Sequence, residues 1–142
     1  MLNILNIGVV GYTGMEFDKE RASHLLNDGF DTILSNHPVD NVNLISGLTS
    51  RGVPGIAYRI AVERGWQTFG VACAKETKYE CFPVANRIIV GNTWGDENEK
   101  FLSMCDVVLR VGGGKRALAI ATQFMIVNRG QVYEYELDAI DS

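Results

Sequence analysis

Cysteine, histidine and surplus positive charge are all scarce in this 142-residue chain. The three cysteines, Cys73, Cys81 and Cys105, are an odd number without CxxC spacing, and two of them sit in apolar stretches. Free thiols are therefore expected, not a disulfide framework or a metal cluster. The two histidines, His24 and His37, fall in one predicted helix, away from every glycine turn. No Ser/His/Asp or metal-ligand arrangement follows from that spacing. A net charge of −4 argues against nucleic acid as the main partner. No run reaches membrane-spanning length, and the N-terminus has no charged leader region, so a cytoplasmic protein is expected. Repeats, linkers and low-complexity stretches are missing too. With 46% apolar residues the chain is expected to form one domain, residues 1–142, with an ordinary core.

What is present is organised around Asp106–Arg116, DVVLRVGGGKR. Val107–Val111 is apolar except for Arg110 and predicts a strand buried on both faces. Three glycines, two cations and a helix-like run (ALAIATQFMIV) follow. A buried strand, a glycine turn and a helix N-terminus make a place for an anion, because backbone can approach the ligand and free N–H groups point at it. Lys115 and Arg116 add positive charge at that rim. Without a ligand the same pattern is a tight strand-to-helix turn.

The remaining elements alternate. Ile4–Val10 predicts a first buried strand, ending in Gly11-Tyr12-Thr13-Gly14; the spacing is not GxGxxG, so a dinucleotide fingerprint is not supported. Thr13 and Glu16 have capping-box spacing. Ala22, Leu25, Leu26, Phe30, Ile33 and Leu34 keep one helical phase across Gly29, which favours a single helix over about 17–37; the rival reading stops it at Gly29 and makes 32–35 a strand. Val42–Gly47 and Gln67–Cys73 predict strands on either side of a helix whose apolar face is Ile56, Ala57, Ile60 and Ala61, closed by Gly65. The stretch 74–87 has no period and reads as loop with at most a short helix. Ile88–Val90 predicts a fourth strand. Asp96 and Glu99 are expected to cap a short helix that buries Phe101, Leu102 and Cys105. A final helix over 116–128 and a last strand, Val132–Leu137, complete an α/β pattern, which implies a mostly parallel sheet covered on both faces.

Three segments, in order, carry a family resemblance. Ser46-Gly47-Leu48-Thr49-Ser50-Arg51-Gly52 resembles the SGxxxG motif of the SLOG superfamily, Phe82-Pro83-Val84-Ala85-Asn86 resembles the (Y/F)PxxN segment of its DprA branch, and DVVLRVGGG resembles its second glycine motif. The match spans residues 42 to 128, with Gly11 as the N-terminal glycine. The superfamily also includes LOG-type hydrolases, often labelled lysine decarboxylase-like, and molybdenum-cofactor carriers. The resemblance implies a Rossmann-like three-layer sandwich with a sheet of five to six strands, binding a nucleotide-related ligand at the carboxyl ends of the strands. The residues gathered there are Gly11, Tyr12, Thr13, Ser46, Gly47, Leu48, Thr93, Gly112, Gly113, Gly114 and Lys115, with Arg51 as a phosphate partner. Tyr12 and Trp94 are candidates to stack on a base or simply to pack.

The departures bear on activity. The hydrolase branch places a catalytic glutamate after its second glycine motif and an arginine upstream. Here Lys115-Arg116-Ala117-Leu118 follows, and the upstream helix reads Asp96-Glu97-Asn98-Glu99-Lys100. Cleaving a glycosidic bond calls for a carboxylate at the ribose, and the expected one is missing. The reading is therefore binding of a nucleotide or nucleotide-derived small molecule without catalysis and with no further cofactor assigned. The alternatives are a nucleotide N-glycosidase using Glu97 or Glu16, a DprA-like module for single-stranded DNA, and molybdopterin carriage. A homo-oligomer is expected, with the apolar final helix as interface.

Overall fold

The computed structural model describes residues 3–128 and 130–140. Its centre is β1 (Ile4–Gly11), whose residues Ile7 to Val10 are all buried. On one side lie β2 (Asn41–Ser46), β3 (Gln67–Ala72) and β4 (Asn86–Ile89); on the other lie β5 (Val107–Val111) and β6 (Gln131–Tyr135). The order is β4-β3-β2-β1-β5-β6 and every pairing is parallel. α1 (Lys19–Asn36) and α2 (Gly52–Glu63) cover one face, while α3 (Asn98–Met104) and α4 (Lys115–Gln123) cover the other. Two apolar cores result. Leu26, Phe30, Tyr58 and Leu109 belong to the first; Ile45, Phe101, Val108 and Phe124 belong to the second. This is the three-layer α/β sandwich expected of alternating strands and helices.

Gly29 explains why α1 continues where a turn was conceivable. A Cβ there would lie 2.7 Å from a methyl of Leu109, so the glycine lets the helix lie close on the sheet. The helix begins later than the Thr13/Glu16 spacing predicts. Asp18 is the cap, its carboxylate accepting from the Arg21 N–H at 3.0 Å. Glu16 is held in the preceding loop, where its carbonyl accepts from the Ile140 N–H and Phe17 is buried. Asp96 likewise does not cap α3. It accepts from the N–H groups of Thr93 and Asn92, which hold its carboxyl below the ordinary range and close the turn before the helix.

The fourth strand starts two residues earlier than its apolar run suggests, with Asn86 opposite Phe69. It is an edge strand with one neighbour, so polar Asn86 and Arg87 fit it. The last strand ends at Tyr135 and not Leu137, and the final helix ends in a π-helical turn, Phe124–Asn128.

Tyr58 ties α2 to the sheet. Its buried hydroxyl lies 2.7 Å from the Gly47 carbonyl and 2.9 Å from that of Phe69. Burial pushes its pKa well up, so it stays a donor. Tyr58→Phe leaves both carbonyls without it and is expected to cost about 1–2 kcal/mol. A urea midpoint equal to the parent's would show that the hydroxyl adds nothing.

Candidate functional site

Ligands of parallel sheets sit at the carboxyl ends of the strands, where the chain reverses its direction of winding. Here that point lies between β1, which leads to α1 on one face, and β5, which leads to α4 on the other. A cavity of about 530 Å³ opens there. Its lining comes from the loop after β1, the β2–α2 turn, the 3₁₀ turn Ala74–Lys78 and the segment after it, the start of α3 and the start of α4.

Of the residues expected at the strand ends, Gly11, Tyr12, Thr13, Ser46, Gly47, Arg51 and Gly114 line this cavity. Ser46 is buried and donates its hydroxyl proton to the Val9 carbonyl at 2.7 Å, joining β2 to β1. Tyr12 stacks on Phe17, ring centres 5.8 Å apart. Arg51 stands at the N-terminus of α2, exposed, and no salt bridge among the described residues engages it. Gly114 has open space where a Cβ would stand.

The structure places the others elsewhere. Leu48 is fully buried, against Gly70. Thr93 belongs to the Asp96 turn. Gly112 donates its N–H to the Tyr135 carbonyl, and Gly113, at φ +92°, faces Ala117 and Gly11 so closely that a Cβ would lie 2.5 Å from the Ala117 Cβ. These two glycines let the β5 turn approach the β1 turn. Lys115 lines a separate shallow groove with Leu118, Thr122 and Ile126, and the cation that α4 contributes to the cavity is Arg116.

The aperiodic segment after β3, expected to be loop with at most a short helix, supplies Glu76, Tyr79 and Glu80 to the lining. A signal existed, since any charged or aromatic residue just past a buried parallel strand lies at the ligand edge of the sheet. Glu97 is buried. One of its oxygens accepts from the Gly95 N–H at 2.9 Å, and the other lies 3.6 Å from an Arg116 nitrogen. Ser50 donates its hydroxyl to Glu80, which anchors that carboxylate to the turn before α2.

No protein-family model matches the chain, and no curated protein matches it. Solved structures do. The protein TM1055 superposes with a TM-score of 0.67 over 90% of this chain and 72% of its own, at 18% identity. Two structures of the molybdenum cofactor carrier protein from Chlamydomonas reinhardtii give 0.69 and 0.65, each over 92% of this chain and 75% of the carrier, at 22% identity. The chain shares a Rossmann-like α/β fold with these structures. At these identities the likeness is one of fold.

Within that fold the carboxylates enter from unexpected elements. The first turn of α4 has none, whereas the 3₁₀ turn and the α3 cap bring Glu76 and Glu97 near each other. Burial, and then the negative charge of Glu97, push the Glu76 pKa up, against the pull of the Leu48 N–H and Arg116. The sign for stability follows. A carboxyl whose folded pKa is raised stabilises the fold below its ordinary value of 4.5, and that contribution is lost as pH rises through the folded pKa. Glu76→Gln is therefore expected to melt close to the parent below pH 4.5 and progressively above it towards neutral pH. Parallel melting curves across that range would place Glu76 in full solvent contact. Among the described residues no group of His, Cys, Asp and Glu is arranged to hold a metal, and no helix is long and apolar enough to cross a membrane.

Proposed function

We propose that the chain binds a phosphorylated, nucleotide-type small molecule in this cavity and does not cleave it. The observation that carries the reading is the convergence of Arg51, free of carboxylate partners among the described residues, with the open Gly114 turn at the start of α4. A cation with a planar donor fork and a helix N-terminus together suit a phosphate. The volume is in the range of small-molecule sites. That a protein of similar fold is described as a molybdenum cofactor carrier supports small-molecule binding in general. The carboxylates in the lining and the net charge of −4 weigh against single-stranded DNA.

A cytoplasmic homo-oligomer is part of this reading. Leu118, Met125, Ile126 and Val127 are exposed on α4 and the turn after it, an apolar surface suited to a second copy. Native mass spectrometry reads the assembly mass and any retained ligand in one measurement. Calorimetry with nucleoside monophosphates and the matching nucleosides tests the site itself, with measurable affinity expected for the phosphorylated member of each pair. Equal affinity for both would remove phosphate from the account.

A second reading draws on Glu76 and Glu97. Two carboxylates in one cavity, one with its pKa raised, are the equipment of acid–base cleavage of an N-glycosidic bond. The two readings part on one assay. Incubation with nucleoside monophosphates is expected to release no base above background, since Glu97 is held by Arg116 and Gly95 and the first turn of α4 has no carboxylate. Release that disappears in Glu97→Gln would establish the enzyme.

A further inference from the structure

Trp94 and Tyr79 are unusual among the aromatic residues of this chain in being left open, 46% and 67% exposed, while Phe30, Tyr58 and Phe124 are fully buried. Both line the cavity, and they come from different segments, Tyr79 from the end of the 3₁₀ turn and Trp94 from the loop between β4 and α3. Their ring centres are 5.9 Å apart and their planes are tilted by 48°, so each keeps a face free of the other. Exposed rings at the rim of a cavity are a stacking surface for a planar ligand, since aromatic faces and heterocycles attract through dispersion and their quadrupoles.

The polar group that the same 3₁₀ turn brings to the cavity fixes the kind of ring. Glu76 lines the cavity, with one carboxylate oxygen 3.2 Å from where a Gly47 Cβ would stand. The Leu48 N–H favours its charged form, and no salt bridge among the described residues engages it. Arg116, the cation of α4, is committed to Glu97, which adds its own negative charge. A ligand group that donates hydrogen bonds is favoured at this spot, and one that offers only acceptors is repelled.

We propose that the cavity recognises an amino-substituted heterocycle, its ring stacked on Trp94 and Tyr79 and its exocyclic amine donating to the Glu76 carboxyl. This rests on the reading of the cavity as a nucleotide-type site and adds which ring it takes. The phosphate end of such a ligand meets Arg51 and the Gly114 turn. The amine discriminates against rings that lack it, because the half-buried Glu76 carboxyl then gives up water without gaining a ligand donor.

The test is calorimetry of the whole chain with ribose 5-phosphate, with AMP and GMP, and with their amine-free counterparts, purine riboside 5′-monophosphate and IMP. Adding a ring to ribose 5-phosphate is expected to tighten binding about tenfold, and adding the amine about tenfold again in at least one pair. Trp94→Ala is expected to remove the gain from the ring, and Glu76→Ala the gain from the amine alone. Trp94 is half exposed and Glu76 lies at the cavity, so neither truncation opens a core. If ribose 5-phosphate binds through Arg51 but neither ring nor amine adds affinity, the inference is overturned and the phosphate site stands. If none of the five probes binds, both fall together.

Discussion

Arg51→Ala is expected to weaken the binding of nucleoside monophosphates 10- to 100-fold while changing affinity for the bare nucleosides far less. A hydrogen bond to a charged group contributes roughly 1.5–3 kcal/mol, and each 1.4 kcal/mol is tenfold in affinity. Arg51 is exposed at the N-terminus of α2 and makes no salt bridge among the described residues, so its loss should leave the fold unchanged. Lys115→Ala serves as the comparison. The sequence pattern pairs Lys115 with Arg51 at the phosphate, but in the structure it lines a different groove, beside Leu118 and Ile126. Its removal is expected to shift affinity less than twofold, on the order of 0.4 kcal/mol or below. Titration of both variants with matched nucleotide and nucleoside decides the matter. A large effect at Lys115 with none at Arg51 would move the phosphate out of the cavity, and equal losses for nucleotide and nucleoside would make Arg51 a structural residue.

Arg110→Met is expected to lower stability by about 2–3 kcal/mol, or roughly 6–12 °C in Tm. Arg110 is the charged residue of an otherwise apolar central strand and is 5% exposed. Its guanidinium donates to the carboxylates of Glu134 and Glu136 and to the Gly112 carbonyl at 3.0 Å. Methionine fills the volume but leaves the carbonyl and Glu134 without their donor. Breaking a fully buried ion pair costs about 3–5 kcal/mol; the smaller figure here reflects Glu134 and Glu136, 31% and 79% exposed, which are free to turn to water. Thermal melting followed by circular dichroism gives the result directly. An unchanged Tm would show that the three charges merely break even against an apolar side chain. Arg110 also steadies the turn that brings Gly113 against Gly11, so a fall in ligand affinity should accompany the fall in stability.

The elements with a clear period were legible from sequence because one physical demand dominated each. The phase of Leu25, Leu26, Phe30 and Ile33 forecasts α1 through Gly29, since the same face packs on the sheet along its whole length. The apolar run at Val107 forecasts a strand buried on both sides. Caps were less legible. Asp18 displaced Thr13 because the tertiary contacts of Phe17 and Glu16 set where the chain enters the helix, which no local spacing encodes. The cavity was legible where strands end in glycine or serine, at Gly11 and Ser46. It was less legible at Glu76, Tyr79 and Glu80, where the position after β3 is the one signal and the place of each side chain depends on a non-repeating segment folding back over Gly47. The choice between Lys115 and Arg116 was out of reach too, because adjacent helical residues point about 100° apart and only the start of α4 fixes which one faces inward.

The position of β1 bears on how the chain is made. Ile7 lies opposite Leu44 on one side and opposite Val107 on the other. The first pairing needs only the next helix and strand; the second waits until synthesis has passed Val107. Closing the longer loop costs little extra free energy, about 0.6 kcal/mol for each doubling of length, so the arrangement is cheap at equilibrium. Its burden is kinetic. During translation a strand that is interior to the finished sheet stands at an edge, with the unpaired backbone of an apolar segment open to other chains. A polypeptide released before Val107 keeps that edge, whereas completion of β5 converts it into the middle of a six-stranded sheet.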